Sequence, residues 1–296
     1  MAIYSISDLE KLSGVKSHTI RMWEQRYGVL RPKRTETNIR YYEDADLQLL
    51  LNIALLNRHG FKISKIAAMS KDDIAEKASS LSDIRIGLDA ELDVLTLSVI
   101  EMDEYKFSRI LDNHIEQLGF EETMLQIIYP FMEKLSLLWL TGSIKPVQEN
   151  FITLLIRNKL VAAIEKLPLE TDRKVPKFLL YLPRDEQQEL SLLFMQFLIR
   201  KRGFQAINMG PNLALVDLSD ACQIHHPDYV FTILSETFNR EPIQRYLENL
   251  QQSAPGSHLL LTGYLVAAHP VKVPEKTTIL PSLDDAIEFL DQLKKK

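Results

Sequence analysis

The sequence predicts a chain in three parts: a small helical module with a basic β-wing, an all-helical bundle, and an α/β domain built on a parallel sheet. Three observations predict it. Short helices separated by glycine turns fill the first 70 residues, helical periodicity with little β-pattern runs from Leu81 to Leu167, and five short apolar runs alternate with helices beyond Val175. At 296 residues, 46% hydrophobic and 25% charged, the composition is ordinary globular protein and excludes collagen-like, low-complexity or wholly disordered readings. One cysteine, Cys222, excludes a disulfide framework and a zinc site of four thiolates. No stretch approaches the roughly 18 uncharged apolar residues of a membrane span. The start, Met1-Ala2-Ile3-Tyr4-Ser5, lacks a basic-then-apolar leader, so a cytoplasmic protein without membrane partners is expected.

The formal net charge of −5 argues against nucleic acid until it is divided along the chain. Through residue 70 there are 11 Lys+Arg against 7 Asp+Glu, a net +4, and the remainder carries 24 against 33, a net −9. In the basic part, Ser7 and Glu10 are spaced as a capping box, so a short helix is expected from near Asp8 to Gly14. A second follows over Ser17–Tyr27, with Ile20 and Trp23 on one side and Arg21, Gln25 and Arg26 elsewhere; two short helices joined through a glycine turn have helix-turn-helix spacing. Gly28 to Tyr42 mixes turn formers, β-formers and the bases Arg31, Lys33, Arg34 and Arg40, which reads as a β-wing. A third helix is expected over Asp44–His59, stopped by Gly60, and a short fourth from Ser64 through Met69.

Ile-Ser-Asp-Leu, Gly-Val, Thr-Ile-Arg, Trp-Glu-Gln-Arg-Tyr-Gly, Arg-Pro and Arg-Tyr-Tyr occur in that order across Ile6 to Tyr42. Here the sequence resembles the winged helix-turn-helix of MerR-type transcription regulators, over about residues 3–70. The resemblance implies that Ser17–Arg26 enters the major groove of double-stranded promoter or operator DNA. Lys16, Ser17, His18, Thr19, Arg21, Arg26 and Arg34 would lie near DNA, with Arg40 and Tyr41 of the wing on the phosphates. The chemistry agrees, because guanidinium groups bind phosphate or guanine edges bidentately. Trp23 is read as a wedge packing the helix into its module.

In the middle, Leu88, Leu92, Leu95, Val99 and Met102 keep helical spacing, as do Phe107, Ile110, Leu111 and Ile115 up to Gly119. A third helix covers Met124 to Leu138 with a kink at Pro130, and Pro146 opens a fourth through Ile164; together they predict a four-helix bundle. Pro168–Pro176 reads as a linker. Strands are then expected at Lys177–Leu182, Gln205–Met209, Tyr229–Leu234, His258–Thr262 and Thr278–Leu280. Helices at Gln188–Arg202, Leu213–Ala221, Glu241–Gln251 and Leu283–Lys294 make this a doubly wound, flavodoxin-like sheet, whose ligands sit beyond the strand C-termini. The expected domains are 1–75, 81–167 and 175–296.

This order of modules resembles the cobalamin-binding, light-sensing CarH-type branch of the MerR family, which implies a fold of cobalamin-binding type. The branch's lower-ligand motif, Glu/Asp-x-His-x-x-Gly, here reads Glu186-Gln187-Gln188-Glu189-Leu190-Ser191. Gln188 therefore stands in place of the imidazole, and a carboxamide oxygen is a poor substitute on cobalt. Ser191 replaces the glycine. The bundle motif Trp-x9-Glu-His keeps Trp139 and Glu149 but has Asn150 for the histidine; Ser235 matches, and the later glycine pair reads Gly263-Tyr264. These departures argue against cobalamin, and no cofactor is expected. Cys222, His225 and His226 read as a solvated loop rather than a metal site. The function expected is a DNA-binding transcription regulator, a homo-oligomer of two or more chains. Its altered sensor would serve oligomerisation, a protein antagonist or another ligand. The alternatives are a light-responsive cobalamin regulator with altered axial ligation, or a corrinoid shuttle or enzyme, against which the attached DNA-binding module weighs.

Overall fold

The computed structural model describes residues 3–34, 40–58, 60–81, 88–140, 144–172, 174–235, 242–267 and 271–295. The chain forms two compact units, Met1–Leu155 and Ile156–Lys296.

In the first unit, strand β1 (Ile3–Tyr4) runs into helix α1 (Ile6–Ser13), and α2 (Ser17–Tyr27) follows, over the residues expected for it. Between them Gly14 adopts φ +68, where a side chain would be strained, and its N–H closes the last turn of α1 on the Glu10 carbonyl at 2.9 Å. The cap of α1 differs from expectation. Ser5, not Ser7, begins the helix: its Oγ accepts from Asp8 N–H at 3.2 Å, and Asp8 Oδ2 accepts from Ser5 N–H at 2.8 Å. Pairing of Tyr4 with Tyr42 holds the chain extended through residue 4, so the helix starts at the first free position.

Strands β2 (Lys33–Arg34) and β3 (Arg40–Glu43) complete a three-stranded antiparallel sheet in the order β1-β3-β2. Residues 35–39 of the expected wing and His59 lie outside the described residues. Helix α3 (Asp44–Arg58) agrees with expectation, but α4 (Ile63–Ile66) is shorter than expected and starts behind Lys62 without a side-chain cap from Ser64. Helix α5 (Lys71–Leu81) was not foreseen, although Ser70 and Asp73 cap it reciprocally at 3.1 and 3.2 Å, a spacing visible in the sequence.

The bundle follows with α6 (Leu88–Glu101) and α7 (Glu104–Leu118). A continuous helical run comes next, made of α8 (Phe120–Thr123), a π-helical turn Met124–Ile128 and α9 (Tyr129–Leu140). The expected kink at Pro130 takes the form of that wide turn. Proline cannot donate to the carbonyl four residues back and its ring collides with it, and widening the preceding turn relieves the clash. Helix α10 (Pro146–Glu165) opens at its proline as expected, and the boundary between the units falls inside it. Gln148, 8% exposed, anchors this start: Oε1 accepts from Lys145 N–H and Nε2 donates to the Ile100 carbonyl, both at 2.9 Å.

The second unit alternates strand and helix: β4 (Lys177–Tyr181), α11 (Glu189–Lys201), β5 (Gln205–Asn208), α12 (Leu215–His225), β6 (Tyr229–Ile233) and α13 (Ile243–Ser253). Then come β7 (His258–Thr262), α14 (Tyr264–Ala267), β8 (Thr277–Ile279) and α15 (Leu283–Lys294). The strands pair in parallel in the order β5-β4-β6-β7-β8, the doubly wound sheet that the alternation predicts. Both faces are covered. Leu179, Tyr181, Val230, Leu259 and Leu261 pack with Leu218 and Cys222 of α12 and Leu247 and Leu250 of α13. On the other face Phe178 stacks on Tyr229 at 4.7 Å, and Tyr229 meets Phe289 of α15 edge-on at 5.7 Å.

Helix α12 extends to His225, so Cys222 is a buried helical residue rather than part of a loop. Burial raises its thiol pKa to about 11, which leaves it unreactive. Among the described residues no three His, Cys, Asp or Glu side chains are grouped as metal ligands, and no helix is long and apolar enough to cross a membrane.

Candidate functional site

The first candidate surface is built on α2. Ile20 and Trp23 are buried, Trp23 at 5% exposure, and they fix the helix to its module as a wedge would. Lys16, His18, Arg21 and Arg26 are exposed, and Ser17 and Thr19 are half-buried. A carboxylate from α1 sets the helix start: Glu10 Oε2 accepts from Ser17 N–H at 3.0 Å and from Ser17 Oγ at 2.5 Å, and Oε1 pairs with Lys16 Nζ at 3.1 Å. The two Ser17 donors, with Lys16, hold the Glu10 carboxyl down at about 2. The hydroxyl of Ser17, expected near DNA, is therefore engaged with Glu10. Sequence reasoning put Glu10 in a local cap and missed this link across seven residues.

The wing is tied to the same helix. Tyr42 is fully buried and its hydroxyl donates to Glu24 on α2. Burial, then this bond to a carboxylate, pushes the Tyr42 phenol well above its ordinary range. Lys33 Nζ pairs with Glu43 at 2.6 Å across the hairpin, and the register places Arg34 directly opposite Arg40. Like charges at a direct cross-strand position destabilise a hairpin.

The second candidate site lies in the bundle. A cavity of about 250 Å³ is lined by Met132, Leu135, Trp139, Ile144 and Ile152 together with Glu149. Trp139 is 50% exposed, so it does not serve simply as a packing residue of the bundle core. Glu149 sits in the first turn of α10, and Asn150 beside it is exposed.

The third lies in the second unit at the C-terminal ends of β4 and β6. There the strand order reverses, which is where open α/β sheets bind ligands. Glu186, 2% exposed, spans this point: Oε1 accepts from Ser235 Oγ and Oε2 from Ser235 N–H, both at 2.8 Å. Oε1 also accepts from Gln187 N–H at 2.9 Å. Gln188 is exposed at the cap position of α11, with Ser191 half-buried one turn on. Gly263 has φ +107, and a Cβ there would lie 2.4 Å from the Leu234 carbonyl oxygen, so glycine is required where β7 leaves the sheet beside β6. Tyr264, 51% exposed, opens α14. The structure thus brings Glu186, Ser235 and Gly263 to one corner. For a corrin cofactor, Gln188 offers cobalt a carboxamide at the position of the motif's imidazole. Among the described residues of this unit, the histidines lie elsewhere: His225 and His226 precede β6, and His258 opens β7 and bonds Thr278 Oγ1 at 2.8 Å. Among the described residues of this corner the donors are carboxylate, carboxamide and hydroxyl rather than imidazole.

Residues 4–72 match the family model described as "MerR HTH family regulatory protein". They are a MerR-type domain. Residues 91–163, which include the bundle cavity, match the family described as "B12 binding domain". The chain is similar to the HTH-type transcriptional repressor CarH of Myxococcus xanthus, with 26% identity over 283 residues and 93% of each chain covered. It is also similar to the transcriptional repressor CarA of the same organism, at 24% over 228 residues, covering 76% of this chain and 74% of that one. Among solved structures, the monomethylamine corrinoid protein of Methanosarcina barkeri superposes with a TM-score of 0.52 at 10% identity, over 69% of this chain and 99% of that one, a likeness of fold.

Proposed function

We propose that this chain is a cytoplasmic transcription regulator that binds double-stranded promoter or operator DNA as a homo-oligomer. Helix α2 would sit in the major groove and Arg34, Arg40 and Tyr41 on the phosphates. The observation that carries the reading is the outward basic face of α2 anchored by buried Ile20 and Trp23, beside a hairpin that sets Arg34 against Arg40. Guanidinium groups on both strands of the wing suit phosphate oxygens as partners. Lys16, His18, Thr19, Arg21 and Arg26 supply the remaining contacts. The curated relatives are regulators, and we read this chain likewise as a regulator rather than an enzyme. Arg40→Ala should weaken promoter binding and lower the slope of log affinity against log salt by about one; binding independent of salt would refute the proposal.

For the sensor, we infer that cobalamin is not held as the motif requires. Gln188 and Asn150 supply no imidazole, Ser191 replaces a glycine, and Tyr264 adds a large side chain next to Gly263. The bundle and α/β domain would then serve self-association, a protein antagonist or another ligand. The test is to incubate the full chain with adenosylcobalamin in the dark and record the visible spectrum after gel filtration. No co-eluting corrin absorbance is expected, and its presence would overturn the inference. The cavity lined by Trp139 and Glu149 favours one second reading, a light-responsive cobalamin regulator with altered axial ligation. That reading requires both the absorbance and its change on illumination.

A further inference from the structure

Helix α2 has one outward face. With Ile20 and Trp23 buried, Glu24 engaged by Tyr42 and Ser17 engaged by Glu10, the side opposite the core carries His18, Arg21, Met22 and Gln25, all exposed. These positions, at i, i+3, i+4 and i+7, form a single stripe. Arg26 lies at its margin and stacks over the Tyr27 ring at 5.4 Å, which suits a backbone contact. Met22 is the anomaly. It is an apolar side chain, 46% exposed, in a stripe whose other members are polar or basic.

Building on the DNA-binding reading above, we propose that Met22 and Gln25 are specificity-determining residues that read neighbouring A·T pairs, Gln25 the adenine edge and Met22 a thymine methyl. A carboxamide matches adenine N6 and N7 with one acceptor and one donor, which no other base presents in that order in the major groove. The C5-methyl of thymine is the apolar group on the floor of that groove, and the flexible thioether of methionine packs on it without a directional requirement. The two residues are i, i+3, about 4.5 Å apart along the helix axis, close to the 3.4 Å base step. Arg21 and the wing arginines supply charge, whereas Met22 and Gln25 supply none, so their contribution is independent of salt.

The test starts from duplexes selected by the full chain out of a randomised pool. An A·T position should be enriched in each half-site, and Gln25→Ala should lose that preference, weakening binding to the selected site roughly five- to a hundredfold. Replacing thymine by deoxyuridine there removes only the methyl, and should weaken the wild-type protein about three- to fivefold and Met22→Ala not at all. Both variants should melt with the wild type, since both side chains are exposed, and should keep its salt slope. A deoxyuridine penalty equal in wild type and Met22→Ala, or a base preference that survives Gln25→Ala, would overturn the proposal while leaving DNA binding intact. Failure to retain any duplex would overturn both.

Discussion

Two glutamates in this chain make the same connection and use it differently. Glu10 accepts from the N–H and hydroxyl of Ser17, and Glu186 from the N–H and hydroxyl of Ser235. In the DNA-binding module the clamp lies near the surface, and it turns the start of α2 so that the opposite face points outward with its bases and amides available. In the α/β domain Glu186 is buried at the reversal of strand order, and its carboxylate accepts from Ser235 and from the Gln187 N–H. One device sits at the start of an exposed helix face, and the other bridges the segments that follow β4 and β6, at the end of the sheet where open α/β folds take ligands. A polar cluster at an expected binding site therefore indicates binding only when its hydrogen-bonding capacity is left facing outward.

This contrast can be tested through four changes, in decreasing order of expected effect. Gly263→Ala attacks the buried corner directly, since the new Cβ would meet the Leu234 backbone at a φ of +107. A loss of roughly 2–5 kcal/mol is expected in denaturant unfolding of the full chain, and a neutral result would show that the corner adjusts freely. Glu186→Ala should cost about 1–3 kcal/mol, because Ser235 N–H and Oγ lose a common acceptor. If Ser235 is instead supported by water, calorimetry will show no change. Tyr42→Phe removes the hydrogen bond to Glu24 and should cost about 1–2 kcal/mol. It should also weaken DNA binding if the wing is held against α2 by that bond. Glu10→Gln is the mildest. The folded carboxyl lies near 2 against an ordinary 4.5, so its contribution is fully present above about pH 4.5 and is lost as pH falls through about 2. Wild type and variant should differ in melting temperature at pH 7 and converge between pH 4.5 and 2. A gap of constant size would assign the effect to shape rather than charge.

Local pattern carried much of the architecture. Helix α2 was legible to the residue because Ile20 and Trp23 mark its buried side and Gly28 stops it, and β7 and α15 likewise agree end to end with their apolar runs. Errors arose where two local signals competed. Ser5-x-x-Asp8 and Ser7-x-x-Glu10 are both plausible capping boxes, and pairing of β1 with β3, a contact from 40 residues away, selects the first. The end of α12 was placed short of Cys222, because a Cys-His-His cluster resembles a polar loop until the sheet buries its cysteine. At Pro130 the sequence marks a disruption, and the packing of the run on either side turns it into a π turn.

The sequence by itself determined the order of modules, the basic charge of the first 70 residues and the carboxamides at Gln188 and Asn150, since each depends on residue type and short-range spacing. Only the tertiary structure decided which glutamate holds which serine, that Arg34 faces Arg40, that Met22 stands on the outward face of α2, and that Gly263 touches Leu234. The physical reason is separation along the chain. Periodicity and capping act within a turn or two, whereas these contacts join residues 6 to 49 positions apart and form only when the elements have packed.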